Sequence, residues 1–140
     1  MFISRQSNLV EVRRLDNRGR GGRGVFAVSD IASGTLIERV PVILIPTAQV
    51  FGDADTQQHN ACVSWYVFSW EGMTKRSYVA MALGYGSIYN HSFTPNAKYV
   101  KVAPDVLEFH SIGNITAGEE ILINYNGDIE PDRPMHFEMT

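Results

Sequence analysis

Nowhere in the 140 residues does an apolar period of 3.6 persist for three turns, so no amphipathic helix of ordinary length is available to build a bundle. The chain offers instead a succession of short apolar runs broken by turn residues, with twelve glycines and six prolines among them. Leu9, Val10 and Val12 open an extended segment that ends at the Asp16-Asn17 pair, and Val25 to Val28 is the next strand candidate. Ile31-Ala32-Ser33-Gly34 predicts a turn. Thr35 to Arg39 alternates apolar and polar, and Val42-Ile43-Leu44-Ile45, bracketed by Pro41 and Pro46, predicts a buried strand. Residues 47–60 are polar and predict loop or a short helix. Val63 to Trp70 is dense in aromatic and β-branched residues and predicts strand. Glu71 to Lys75 fits a hairpin turn ahead of Tyr78 to Leu83, and Ala97 to Val102, Val106 to Ser111 and Ile121 to Tyr125 are further strands. The expected fold class is mostly β, with long loops and no internal repeat.

The length suits one domain, 1–140, able to bury about two-thirds of its unfolded surface. Hydrophobic residues at 44% and charged residues at 19% exclude a disordered composition. No apolar run approaches the roughly 18 residues of a membrane span. Met1 to Arg14 lacks a continuous apolar stretch and a cleavage site, so neither a signal peptide nor an anchor is expected and an intracellular, cytoplasmic setting is. A single cysteine, Cys62, excludes an internal disulfide and a multi-cysteine zinc site. The net charge of −3 argues against a strongly basic nucleic-acid binder. Its division is more telling: residues 1–102 carry eleven Lys/Arg against seven Asp/Glu, whereas residues 103–140 carry Arg133 against eight acids. An acidic segment lining a cleft would favour a cationic partner such as a lysine-rich peptide; a solvated acidic face is the alternative.

Gly19-Arg20-Gly21-Gly22-Arg23-Gly24 satisfies G-x-G-x-x-G, but a strand follows where a dinucleotide fold needs a helix. The arginines between Arg13 and Arg23 leave a salt-sensitive RNA contact as a further option. What the glycines supply in either case is close backbone approach to a ligand, or a turn. His59 and Cys62 stand three apart, and His91 and His110 stand alone, so no metal site is predicted. Cys62 is expected to be a small core residue. The stretch Gly84 to Asn96 crowds Asn90, His91, Ser92 and Asn96 between apolar flanks, and such groups must be spent on the backbone or on a ligand. Thr116 to Tyr125 then gives a turn, a strand and a tyrosine beside the Asn126-Gly127 pair.

Together these segments resemble the SET-domain protein lysine methyltransferases. The G-x-G near the family's start matches Gly22-Arg23-Gly24, the N-H-S-x-x-P-N element matches Asn90 to Asn96, and the G-E-E-I/L-x-x-[ND]-Y element matches Gly118 to Tyr125. The resemblance covers about residues 10–126, leaving 127–140 as a tail. Tyr66-Val67-Phe68 ahead of the Asn-His-Ser element, and the length, look like the small stand-alone SET proteins of viruses and bacteria. The resemblance implies small curved sheets of the β-clip kind, with a C-terminal segment threaded under a loop so that Asn90 and Tyr125 meet.

It further implies methyl transfer from S-adenosylmethionine to the side-chain amine of a lysine, leaving S-adenosylhomocysteine. Gly22, Arg23, Gly24, Asn90, the His91 backbone and Tyr125 would hold the cofactor. Tyr125 would be the catalytic tyrosine and Tyr66 the second hydroxyl. Tyr85 and Tyr89 would either wall the lysine channel or pack in the core. The implied partner is a lysine-bearing protein, histone-like among the candidates, with no membrane or direct nucleic-acid partner and with a homodimer left open. Two departures from the family pattern stand out: Phe93 occupies the place of a common cysteine, and no cysteine-rich cluster follows Tyr125. The tail would close the channel by other means, with Phe137 a candidate. The rival reading is a non-catalytic module on the same scaffold that binds a cationic peptide.

Overall fold

Two antiparallel strands, β1 (Val10–Arg14) and β2 (Arg23–Ala27), pair with Val12 opposite Val25. They belong to a computed structural model that describes residues 7–15, 22–52, 61–70 and 77–127. The Asp16-Asn17 and Glu71 to Lys75 turns, the first glycines of the Gly19 to Gly24 run, His59, the Cys62 side chain and the tail beyond Gly127 lie outside the described residues. The described residues are mostly strand, as the turn-punctuated pattern predicts.

β3 (Leu36–Pro46) is one strand of 11 residues where the sequence predicts two segments divided at Pro41. Pro41 survives because it sits where β3 changes partner. Leu36 to Pro41 pairs with β8 (Val106–Ser111), and Val42 to Pro46 pairs with β5 (Tyr78–Ala82). The Pro41 carbonyl accepts the Leu83 amide at 3.1 Å, but proline has no N–H to return, so the Leu83 carbonyl goes to the Gly86 amide at 3.0 Å. The chain therefore leaves the sheet at this point and enters the turn that leads to Asn90. The buried run expected at Val42 to Ile45 is an alternation instead: Val42 is buried and Ile43 is 52% exposed, because only one face of the strand meets the core.

Two one-turn helices, α1 (Thr47–Phe51) and α2 (Ala61–Ser64), follow β3. Only Val67–Ser69 of the aromatic run forms a strand, β4. The run's start is helical and closes with a Tyr66 amide bond to the Val63 carbonyl, a local turn overriding β propensity. With β7 (Ala97–Val102), the large sheet has the order β4-β5-β3-β8-β7, antiparallel throughout. Its inner face packs Phe68, Leu107 and Phe109 with Tyr89, Val25, Ile121 and Ile123 into one core. Tyr89 stacks on Phe109 with ring centres 4.5 Å apart. Among the described residues no helix is long and apolar enough to cross a membrane.

The last pairing is the one that builds the site. β6 (Asn90–His91) runs parallel to β9 (Leu122–Ile123), each of two residues. The strand expected over Ile121 to Tyr125 is thus shorter than predicted, because its flanks bond irregularly to both sides. Ile121 donates to the Val25 carbonyl and Glu119 accepts from Ala27 on one side; Ser92 and Asn96 donate to Ile123 and Leu122 on the other. The C-terminal segment is held between β2 and the 90–96 loop.

Candidate active site

Where β2, β6 and β9 meet, Asn90 is the joint. Its side chain is buried, and its Nδ2 donates to the Arg23 carbonyl at 2.8 Å and to Glu120 Oε2 at 2.7 Å. Gly24 lies between them. A Cβ there would collide with the Glu120 carboxylate and stand 3.0 Å from Asn90 Nδ2, so a side chain at this position would have to push the end of Glu120 aside. Gly22 takes φ +67°, left-handed backbone that favours glycine, and its carbonyl accepts the Leu15 amide. Arg23 is exposed, so its guanidinium faces solvent while its carbonyl is committed to Asn90.

Tyr125, half-buried, is bonded along its length. Its hydroxyl donates to the Tyr89 carbonyl at 2.5 Å, its amide donates to His91 Nδ1 at 3.0 Å, and its carbonyl accepts the Tyr99 hydroxyl at 3.0 Å. For His91 Nδ1 to accept, the neutral ring carries its proton on Nε2. The His91 ring tilts against Tyr125 at 5.1 Å and meets Phe93 edge-on at 4.5 Å, so it stands between the other two rings. Asn96 closes the joint from below: Nδ2 donates to the Glu120 carbonyl and Oδ1 accepts the Leu122 amide. A phenol whose proton is committed to a carbonyl acts on any other neighbour as an acceptor.

The sequence-predicted residues Gly22, Arg23, Gly24, Asn90, His91 and Tyr125 are thus brought together. Tyr66 stands at one remove. Its carbonyl takes the Ser87 hydroxyl at 2.8 Å, and that hydroxyl also accepts the Ala82 amide, which ties Tyr66 to the turn entering Asn90. Tyr85 is half-buried, while Tyr89 is wholly buried, which places the latter in the core and not on a channel wall.

Sequence reasoning missed three contributors. Glu120 is the second acid of the Gly118-Glu119-Glu120 run; Glu119 accepts the Thr116 amide in an exposed turn, leaving Glu120 to face Asn90. The His91 side chain, as opposed to its backbone, holds Tyr125. Glu38 is a carboxylate only 5% exposed on β3, accepting the Tyr85 amide at 3.1 Å and the Tyr89 hydroxyl at 3.0 Å. Burial raises its pKa from the usual carboxylate range, against the lowering effect of those two bonds. The available signal was a lone acid at a core-facing position of an alternating strand.

A fold of small sheets closed by a short parallel pairing, with an asparagine, a glycine and a tyrosine at the crossing, defines a class. The SET-domain family model matches residues 22–126, and the chain belongs to that family. Over 110 residues it is 32% identical to the histone-lysine N-methyltransferase of Schizosaccharomyces pombe specific for H3 lysine-37, a match spanning 76% of this chain and 67% of that protein. It is also similar to the crystal structure of a candidate histone methyltransferase of Plasmodium falciparum, with a TM-score of 0.60, 27% identity, and coverage of 85% of this chain and 92% of that one.

Proposed function

We propose that the chain transfers the methyl group of S-adenosylmethionine to the side-chain amine of a lysine in a protein substrate, with Tyr125 at the reacting centre. Enzymatic protein-lysine methylation is the activity of the class to which the chain belongs. The observation that carries the reading is the β6–β9 pairing, which sets Tyr125 against Tyr89 and His91 and beside the Asn90–Gly24 joint. The donor set suits the cofactor's charges. Glu120 and the carbonyls of Arg23 and Tyr89 are oxygens for a cation, and the Arg23 guanidinium is a donor for a carboxylate. Gly24, where an added Cβ would displace the Glu120 carboxylate, allows backbone to approach a ligand closely.

The cofactor supplies an electrophilic methyl group on a positively charged sulfur. Gly22, Arg23, Gly24, Asn90, Glu120 and the His91 backbone would hold it. Tyr125 presents its oxygen as an acceptor and orients the attacking amine, so that alignment supplies much of the barrier reduction. The rings of His91, Phe93 and Tyr125 would flank the attacking amine, and Tyr66 would complete the channel. Free lysine has a pKa of about 10.4, and an apolar wall beside a cation favours the neutral amine that attack requires. Histones are the substrate class to try first, because the similar proteins of Schizosaccharomyces pombe and Plasmodium falciparum are named as histone methyltransferases. The placement of Tyr66-Val67-Phe68 supports a likeness to the small stand-alone SET proteins.

The test is calorimetric titration with S-adenosylmethionine and its demethylated product, followed by transfer to purified core histones. Tyr125→Phe is expected to bind both compounds and to lose transfer. Binding by the wild type with no transfer to any lysine substrate would make the chain a non-catalytic module instead.

A further inference from the structure

Glu38 has no place in the reaction proposed above, yet it is a carboxylate kept almost wholly from water. It faces Phe109 across the β3–β8 ladder, next to a bulge at Leu36/Glu38. An apolar side chain would suit that position at far less desolvation cost. What the carboxylate does is hold one turn at two points. One oxygen accepts the Tyr85 amide and the other accepts the Tyr89 hydroxyl, and the turn is so close that a Cβ on Gly84 would stand 2.7 Å from Glu38 Oε2. Tyr89 is then fixed from the core by its hydroxyl and by stacking on Phe109, while its carbonyl, at the other end of the residue, receives the Tyr125 hydroxyl.

We infer that Glu38 is a positioning residue for Tyr125, acting through Tyr89. It clamps the Tyr89 side chain, and thereby sets where the Tyr89 carbonyl receives the Tyr125 hydroxyl. This rests on the reading of Tyr125 as the reacting-centre tyrosine. Tyr89→Phe keeps the ring stack and deletes the clamp. Glu38→Gln preserves it: the amide oxygen accepts the Tyr85 N–H, and the amide nitrogen donates to the Tyr89 oxygen, which can accept as well as donate.

The experiment combines steady-state transfer from labelled S-adenosylmethionine to core histones with NMR of ring-labelled tyrosines, the Tyr125 signal being assigned by its loss in Tyr125→Phe. Tyr89→Phe is expected to lower kcat about tenfold through misplacement of Tyr125, with the cofactor KM nearly unchanged. The Tyr125 ring signal is expected to move in Tyr89→Phe and to return toward its wild-type position in Glu38→Gln, whose kcat also stays near wild type. A Tyr125 signal unmoved by Tyr89→Phe, or equal loss of kcat in both variants, would overturn the inference. Should Tyr89→Phe fail to fold, Glu38→Asp takes its place: a side chain shortened by one carbon cannot span both partners, and the same signal must shift. If the wild type transfers no methyl group, the proposed activity fails, while the NMR result still decides whether Glu38 and Tyr89 place Tyr125.

Discussion

At the scale of single residues, two glycines separate what the site needs from what the fold needs. Gly84 takes φ +57°, and an added Cβ would stand 2.7 Å from both Glu38 Oε2 and Val40 Cγ1. Gly84→Ala is therefore strained in backbone and crowded in the core, and chemical denaturation should report a loss of about 1–3 kcal/mol. Gly24 is different, because its Cβ would meet the end of a flexible side chain, the Glu120 carboxylate. Gly24→Ala should move Glu120 off Asn90 at little cost in stability, under about 1 kcal/mol, while cofactor affinity falls about tenfold or more. Unchanged affinity by calorimetry would remove Gly24 from the site.

Among the described residues, two perturbed glutamates add a pH signature with opposite signs. Burial raises the pKa of Glu38, so the folded chain holds that proton more tightly than the unfolded one; stability is full below the unfolded value, near about 4.3, and declines as pH rises through the folded one. Glu108 is lowered, first by its bond to His110 and then by Arg39, so its contribution is present above the unfolded value and is lost as pH falls through the folded one. Melts from about pH 2 to 7 should show Glu38→Gln gaining relative stability toward the upper end, and Glu108→Gln losing its deficit below about pH 4. Parallel shifts of both variants at all pH values would refute the assignment.

At the scale of elements, β6 and β9 are too short to hold themselves. Side chains must complete them, and Asn96 does so with both ends of one amide. Asn96→Ala removes two bonds and leaves the Leu122 amide and Glu120 carbonyl to find other partners, so a loss of about 2–3 kcal/mol is expected in urea unfolding. This scale also shows what a sequence displays and what it hides. β7 and β8 were legible to the residue because each is a short run with strand-forming residues between turn signals. β3 was not, since Pro41 looks like a break until one sees that the strand changes partner there. Asn90, Gly24 and Tyr125 were legible as motif residues. The Glu120 and Glu38 roles were hidden because each depends on a contact across the chain: 30 residues for Glu120 to Asn90 and 47 for Glu38 to Tyr85.

The whole molecule is organised so that the site is also its closure. Arg23, Asn90 and Glu120 come from the beginning, middle and end of the described chain, and one side-chain amide joins all three. A ligand held at that joint would be coupled to global unfolding and not to the opening of one loop. S-adenosylmethionine at about a hundred times its Kd should then stabilise the fold by about 2.7 kcal/mol, a figure that depends only on binding to the folded state. Hydrogen exchange gives the sharper test. The amides of Ala27, Ile121, Ser92 and Asn96 bridge the C-terminal segment to β2 on one side and to the 90–96 loop on the other. Ligand should slow all four together, and Asn90→Ala should abolish the effect on all four. Protection confined to the 90–96 loop would mean that the ligand binds one segment alone, and that the joint of Arg23, Asn90 and Glu120 is not where it sits.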